Sequence, residues 1–426
     1  MKPYLNKDVK IGVIGLGYVG LPLACLFSRH YPVTGFDTHA DRIKKLNEGN
    51  DCTGEIPSNE LSALLADKLV CTNCKDDLTD CNVYVICVPT PVDSNNHPDL
   101  SPLKNASELA GSYLRYGDIV IYESSVYPGC TEKECVPILS ARSGLTYNEE
   151  FGVGYSPERI NPGDKQNTLE TIRKIVSGST PEVADFVAEL YDSVLRNGIC
   201  KASSIAVAEA AKVLENTQRD INIALMNEVC QIFHAMNINT IEVLKCASTK
   251  WNFVPVRPGL VGGHCISIDP YYLIHSAQEA KVSPNLILEA RNINEGMGDF
   301  IAHAFMDKLA ECNIDIKKAH ILILGFAFKA NCPDIRNTKV MNVYHTLSSH
   351  AYSVDIYDPL VDRRAVKEQY GIRLLTSPES LKHRFDAVIL CVGHQEFLSM
   401  NLHDMVIEQG IVYDAMNVFP RADYYL

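Results

Sequence analysis

Val9-Lys10-Ile11-Gly12-Val13-Ile14-Gly15-Leu16-Gly17-Tyr18-Val19-Gly20 decides the fold. A short apolar run leads directly into G-x-G-x-x-G, and Leu21–Arg29 follows with apolar residues at helical spacing. In such a strand–turn–helix, Gly15 permits the tight turn and Gly17 lets the backbone approach a pyrophosphate. Gly20 lets the helix pack closely on the strand. The first helical turn then offers unpaired amides to phosphate oxygens. Asp37 stands immediately after the next apolar run, Val33–Phe36. A carboxylate there binds ribose hydroxyls and repels a 2′-phosphate, so the expected dinucleotide is NAD.

Working outward, Val83–Val88 and Ile119–Tyr122 continue the series of short buried strands, with helical spacing between them at, for example, Asp41–Glu48. This alternation predicts a parallel sheet covered on both faces. The cadence returns near the C-terminus. His320–Leu324, Ser353–Tyr357, Asp386–Val392 and Ile411–Tyr413 read as strands, and Asn337–His350 as a helix. Between the two lies Ser203–Ala235, free of Pro and Gly and apolar at three- and four-residue spacing, which predicts one helix of about 45 Å. The predicted fold class is α/β, with two Rossmann-like doubly wound domains bridged by a long-helix central domain. The boundaries are drawn at 1–202, 203–312 and 313–426. The second α/β unit has no glycine pair after its first strand. It reads Gly325-Phe326-Ala327-Phe328-Lys329, and Lys329 with Arg336 suits a second diphosphate held by side chains.

Composition narrows the partners. The chain has 426 residues, 46% of them apolar, and a formal net charge of -13. That charge argues against nucleic acid or an anionic membrane as the main partner. The N-terminus has no signal-like apolar run, and no apolar stretch approaches a membrane span. Fifteen cysteines without framework spacing fit reduced core thiols in the cytoplasm. The lone C-x-x-C, Cys71 and Cys74, lacks a second pair or a suitably spaced His, so no metal is expected.

Gly262-Gly263-His264-Cys265-Ile266-Ser267-Ile268-Asp269-Pro270 carries the chemistry. The two glycines would bring the backbone close to a ligand, next to a thiol and, four residues on, a carboxylate. Oxidising an alcohol needs only a base and an electron acceptor. A thiol becomes useful when the aldehyde must be oxidised again, because its adduct can become a thioester that water cleaves. On spacing alone, one more buried thiol among fifteen carries equal weight.

Seven segments in order resemble the UDP-glucose/GDP-mannose dehydrogenase family: Gly15–Gly20, Val88–Pro91, Glu123–Gly129, Ser156–Arg159, Ala211–Asn216, Gly262–Pro270 and Gly325–Lys329. Ser156–Gly163, Trp251–Cys265 and Cys332–Thr338 are most similar to its N-acetylhexosamine branch. The resemblance implies an NAD-dependent, four-electron oxidation of a UDP-sugar at C6 to the uronic acid, serving acidic surface polysaccharide synthesis. It implies Cys265 as nucleophile, Lys212 and Asn216 as oxyanion stabilisers, Asp269 as orienter of a water, Glu158 as hydrolytic base and Ser125 as a positioning hydroxyl. Cofactor contacts carried over are Gly15, Gly17, Tyr18, Val19, Gly20, Asp37, Arg42, Thr90, Ser125 and Arg336. Substrate contacts are Glu158, Arg159, Ile160, Asn161, Lys212, Asn216, Arg257, Gly259, Gly262, Phe328 and Lys329. The implied assembly is a homodimer or larger, with the active site between the two α/β domains.

Two positions depart from the family pattern. Ser125 stands where Thr is usual, and Asn161-Pro162-Gly163 lacks the second glutamate of glucose-specific members. The second departure counts against plain UDP-glucose; the resemblance to the N-acetylhexosamine branch favours UDP-N-acetylglucosamine, with its 4-epimer UDP-N-acetylgalactosamine left open. UDP-glucose, UDP-N-acetylmannosamine and a two-electron β-hydroxyacid oxidation stand as alternatives.

Overall fold

A computed structural model describes residues 8–160, 168–263, 266–377 and 381–426. The chain gathers into two compact units, Met1–Glu215 with Tyr271–Val282, and Asn216–Pro270 with Ser283–Leu426.

The first unit is built on eight strands: β1 (Ile11–Ile14), β2 (Val33–Phe36), β3 (Leu69–Thr72), β4 (Val83–Ile86), β5 (Ile119–Tyr122), β6 (Gly152–Tyr155), β7 (Lys174–Gly178) and β8 (Ile199–Lys201). Their order is β3-β2-β1-β4-β5-β6-β7-β8, so the chain reverses direction across the sheet beside β1. Every neighbour pair is parallel except β6 and β7. All four residues of β1, β4, β5 and β6 are buried, as a sheet covered on both faces requires. Ligands in such sheets sit beyond the carboxyl ends of the strands at the switch point. Gly15 lies at that end of β1.

The second unit carries β9 (His320–Leu324), β10 (Ser353–Tyr357), β11 (Phe385–Leu390), β12 (Val406–Asp414) and β13 (Tyr424–Tyr425), in the order β10-β9-β11-β12-β13 and all parallel. Successive residues of these strands feed opposite cores. Ile321, Ile323, Ala387, Ile389, Ile411 and Tyr413 enter one cluster, whereas Leu322, Leu324, Val388, Leu390 and Val412 enter the other. The two α/β layers anticipated from the sequence are thus present.

The long helix runs Ile205–Ala235, within two residues of expectation. A second long helix, Asn285–Glu311, packs on the helix Val340–Ser348. Gly298 makes that contact feasible, since a Cβ there would lie 2.6 Å from Asn342 Cβ. Among the described residues no helix is long and apolar enough to cross a membrane.

Candidate active site

In the first unit the glycine loop has the shape that a dinucleotide needs. Gly15 adopts φ +97°, and a Cβ there would lie 2.7 Å from the Cys87 carbonyl oxygen. A Cβ on Gly20 would sit 1.8 Å from the Gly15 oxygen, so only glycine lets this helix approach β1 so closely. Gly17 differs, because its Cβ would meet only Arg42 Nη1, at 3.6 Å. Its missing side chain therefore leaves open space for a ligand. Asp37 stands at the end of β2. It accepts hydrogen bonds from Leu16 N at 3.0 Å and His39 N at 2.9 Å, and Arg42 Nη1 is 3.9 Å away. These residues fit NAD. Tyr18 and Val19 lie half-buried in the same loop. Thr90 donates its hydroxyl to the Ser125 carbonyl at 2.7 Å, tying the ends of β4 and β5 together, and Ser125 is half-buried.

Glu158 follows β6 and is 7% exposed. One carboxylate oxygen accepts the Arg159 amide at 2.5 Å and also the Ile160 amide. The other, Oε2, is buried with no hydrogen-bond partner. Behind it lies a buried charged group that sequence reading left out. Lys174 Nζ is 2.6 Å from Glu123 Oε2 and 3.1 Å from the Pro157 carbonyl, and Tyr191 donates to Glu123 Oε1. Burial pushes the Glu123 carboxyl up to about 7. Glu158 adds to the rise, while Lys174 and Tyr191 oppose it. Arg159, expected on the substrate, instead binds Glu215 through Nε and Nη2, and its Nη1 donates to the Arg173 carbonyl. Asn161 lies outside the described residues.

Lys212 and Asn216 are one turn apart on the long helix, and Lys212 is only 5% exposed. Asn216 donates to Asp269 Oδ2 at 2.5 Å, and Asp269, 1% exposed, opens the helix Asp269–Glu279. His264 and Cys265 lie outside the described residues. The glycines before them are near-contact positions, but the approach is to protein. A Cβ on Gly262 would lie 2.7 Å from the Asn337 carbonyl oxygen, and one on Gly263 would meet the Phe328 ring at 2.8 Å. Asn337 and Ser267 both donate to the Gly263 carbonyl.

Upstream, Arg257 is exposed and Gly259 buried. Asn227 clamps Gly259 from the long helix, accepting its N–H at 2.8 Å and donating to its carbonyl at 3.1 Å. Asn294, Asp220 and Arg291, all buried, hold Asn227 in turn. Only an unusual run of polar residues inside an apolar helix pattern could have signalled this chain.

The second α/β layer holds a pocket beyond the carboxyl ends of β9, β11 and β12, lined by Leu260, Phe328, Lys329, Lys339, Gly393 and Met416. Asp358, at the end of β10, occupies the place that Asp37 has in the first unit. Its Oδ2 accepts the amides of Phe326 and Ala327 and faces His394 Nε2 at 3.0 Å. His394 Nδ1 accepts from Asn331 N, so Nε2 carries the proton. Burial alone would raise the Asp358 pKa, but His394 and these amides hold it below the usual range. With Asp358 used internally, this layer is not a copy of the first dinucleotide site. Arg336 is also partnered, its guanidinium forked onto Asp334; Lys329 and Lys339 line the pocket, and Lys339 is paired with Glu295.

Comparison with known proteins agrees with this geometry. The sequence matches the UDP-glucose/GDP-mannose dehydrogenase family in three parts: its NAD binding domain over residues 9–195, its central domain over 206–296 and its UDP binding domain over 322–421. The UDP-N-acetyl-D-glucosamine 6-dehydrogenase of Salmonella typhi is 49% identical over 416 residues, covering 97% of each chain. The protein of that name from Pseudomonas aeruginosa is also 49% identical, covering 96% of each. Among solved structures, the UDP-D-ManNAc dehydrogenase of Pyrococcus horikoshii superposes with a TM-score of 0.89 at 33% identity and 98% coverage of both chains.

Proposed function

The chain belongs to the UDP-glucose/GDP-mannose dehydrogenase family and is an NAD-dependent dehydrogenase, and from that premise we propose that it oxidises C6 of UDP-N-acetylglucosamine to the carboxylate. The observation that carries the reading is the buried polar face of the long helix. A lysine 5% exposed stands one turn before an amide bonded to an aspartate 1% exposed. Burying such groups costs stability unless they are paired, and titratable groups gathered in buried positions are characteristic of reactive sites.

In the proposed sequence Asp269, oriented by Asn216, holds the water that removes the alcohol proton. Lys212 and Asn216 stabilise the negative charge that develops on the sugar oxygen. The Cys265 thiolate adds to the aldehyde, giving a thiohemiacetal on its sulfur. Loss of two more electrons converts that adduct to a thioester, and Glu158 activates the water that cleaves it. Bound NAD supplies the electron acceptor in both oxidations, so two are consumed per sugar. Asp37 and the Gly15–Gly20 loop hold the cofactor. Lys329 and Phe328 hold the uridine diphosphate, with Arg257 the sugar-side arginine. Residues 1–202, 203–312 and 313–426 serve as NAD, dimerisation and UDP-sugar domains. The uronate product suits acidic polysaccharide synthesis in the cytoplasm. Assembly is as a homodimer through the long helix.

Near-full-length identity of 49% to two UDP-N-acetylglucosamine enzymes supports the sugar assignment. The structural likeness to the UDP-D-ManNAc enzyme favours its 2-epimer as second reading, at 33% identity. The test is NADH yield from limiting UDP-N-acetylglucosamine, UDP-N-acetylgalactosamine, UDP-N-acetylmannosamine and UDP-glucose. Two NADH per sugar is expected, with the highest kcat/KM for UDP-N-acetylglucosamine. One NADH per sugar would mean the aldehyde is the product and Cys265 is not the nucleophile.

A further inference from the structure

We propose that His394 is a positioning residue for the uridine diphosphate pocket: joined to Asp358, it fixes the far end of residues 325–331 and so the place of Lys329. This rests on the assignment of that pocket to uridine diphosphate.

The sheet order explains why these residues meet. β9 lies between β10 and β11, and the three strands are parallel. Their carboxyl ends therefore emerge side by side. Asp358 directly follows β10, Gly325 directly follows β9, and His394 comes shortly after β11. Asp358 and His394 thus approach each other from the two strands that flank β9. His394 Nε2 lies 3.0 Å from Asp358 Oδ2, and both side chains are fully buried.

This pair holds the segment after β9 at both ends. Asp358 Oδ2 accepts the Phe326 amide at 2.6 Å and the Ala327 amide at 3.1 Å, which fixes where the segment leaves the strand. At the far end His394 Nδ1 accepts the Asn331 amide at 2.9 Å. Asn331 Oδ1 in turn accepts the Gln395 amide at 2.8 Å, so that end is clasped twice. Asn331 reverses the chain with φ +57°, a conformation that asparagine tolerates better than most residues. Between the two anchors stand Phe328, Lys329 and Ala330, all three lining the pocket. The other lysine there, Lys339, is paired with Glu295. Hydrogen bonds to a diphosphate weaken steeply once a donor leaves its range of distance and angle. Anchors that are themselves locked by hydrogen bonds keep the donor in that range.

A histidine that only filled space would need its ring and not its nitrogens. The ring does pack on Phe397, with centroids 5.5 Å apart. Both nitrogens are nevertheless committed to the frame of the segment, Nε2 to Asp358 and Nδ1 to Asn331. The two edges can be removed one at a time. Asparagine places its Oδ1 close to where Nδ1 stands and can still accept the Asn331 amide. Glutamine places its Nε2 close to the histidine Nε2, so it can still donate to Asp358 but releases Asn331.

The experiment titrates the full-length chain calorimetrically with UDP and, separately, with NADH, and records the melting temperature of each variant. His394→Gln is expected to raise the Kd for UDP about tenfold, the size of effect that an unpaired buried N–H produces. His394→Asn is expected to bind UDP nearly as the parent does, although both variants melt earlier. The Kd for NADH, which binds at Gly15–Gly20, is expected to stay unchanged in both. UDP held by His394→Gln as tightly as by the parent would overturn the proposal. So would UDP and NADH weakened together in both variants, the mark of a general loss of structure. Should His394→Gln fail to fold, Asn331→Gly decides. Glycine accepts the same φ but gives up the link to Gln395, so a raised Kd for UDP with that for NADH unchanged is expected. An unchanged Kd for UDP there would overturn the proposal equally. Lys329→Met tests the underlying assignment: UDP bound as tightly as by the parent would remove this pocket as the diphosphate site, and the inference with it.

Discussion

Asp37 has two tasks, and the second makes it testable. Its carboxylate holds the turn by accepting the Leu16 and His39 amides, and it offsets Arg42, 3.9 Å away, which itself donates to the Leu16 carbonyl. Asp37→Asn keeps an acceptor for the turn but removes the charge that repels a 2′-phosphate. It also leaves Arg42 free to attract one. The ratio of kcat/KM for NADP to that for NAD is expected to rise about tenfold, a change of about 1.4 kcal/mol. An unchanged ratio would refute the ribose role of Asp37. This residue was legible because strand, glycines and acid follow one another at set spacing. Lys174 was not, for a charged side chain opening a strand reads as surface, and only the fold brings Glu123 and Glu158 to it. At Gly262 and Gly263 glycine is also required for packing, since Phe328 and Asn337 occupy the space that side chains there would need.

At the scale of elements, β2, β5, β9 and β10 match their expected spans residue for residue. Each is a short apolar run bounded by polar or turn-forming residues, the clearest pattern a buried parallel strand leaves. The helix expected from Asn337 begins instead at Val340. Asn337 has φ +51°, and its side chain donates to the Gly263 carbonyl. A tertiary contact thus takes the residue that helical spacing would have used. The antiparallel β6–β7 pairing was also out of reach, because pairing direction is not written in a four-residue strand. The Asn227 clamp is an element-scale device, joining the long helix to the substrate loop assigned here at Arg257–Gly262. Asn227→Ala leaves the buried Gly259 N–H and carbonyl without partners, a loss of about 1–3 kcal/mol. The KM for the sugar nucleotide is expected to rise about tenfold with kcat changed less, and the melting temperature to fall by a few degrees. Asn227→Asp can still accept the Gly259 N–H but cannot donate to its carbonyl, so an intermediate KM is expected. A KM equal to the parent's in both variants would show the clamp to be irrelevant to substrate binding.

For the molecule as a whole, the long helix leaves an apolar line uncovered. Val207, Leu214, Leu225 and Ile232 are 49%, 60%, 51% and 49% exposed. Their spacings of 7, 11 and 7 residues turn the helix by nearly whole revolutions at 100° per residue, so all four fall within about 20° of one line. Scattered apolar residues on a surface need no explanation, but a line running most of the length of a 31-residue helix does. A second copy of the same helix is the simplest cover. A two-fold interface places one patch against itself, and a stripe of this kind is complementary to its own reverse. Burying such side chains yields about 1.5–3 kcal/mol each before the cost of association. Introducing charge at two of them, Leu214→Glu with Leu225→Glu, places carboxylates where the partner's apolar stripe would sit. Light scattering on the eluting protein is expected to give twice the chain mass for the parent and the chain mass for the double variant. Both variant side chains are exposed in the single chain, so circular dichroism of the variant is expected to keep its helix content. A variant that stays dimeric would move the interface away from this helix. A parent that runs as a monomer would remove the dimer altogether.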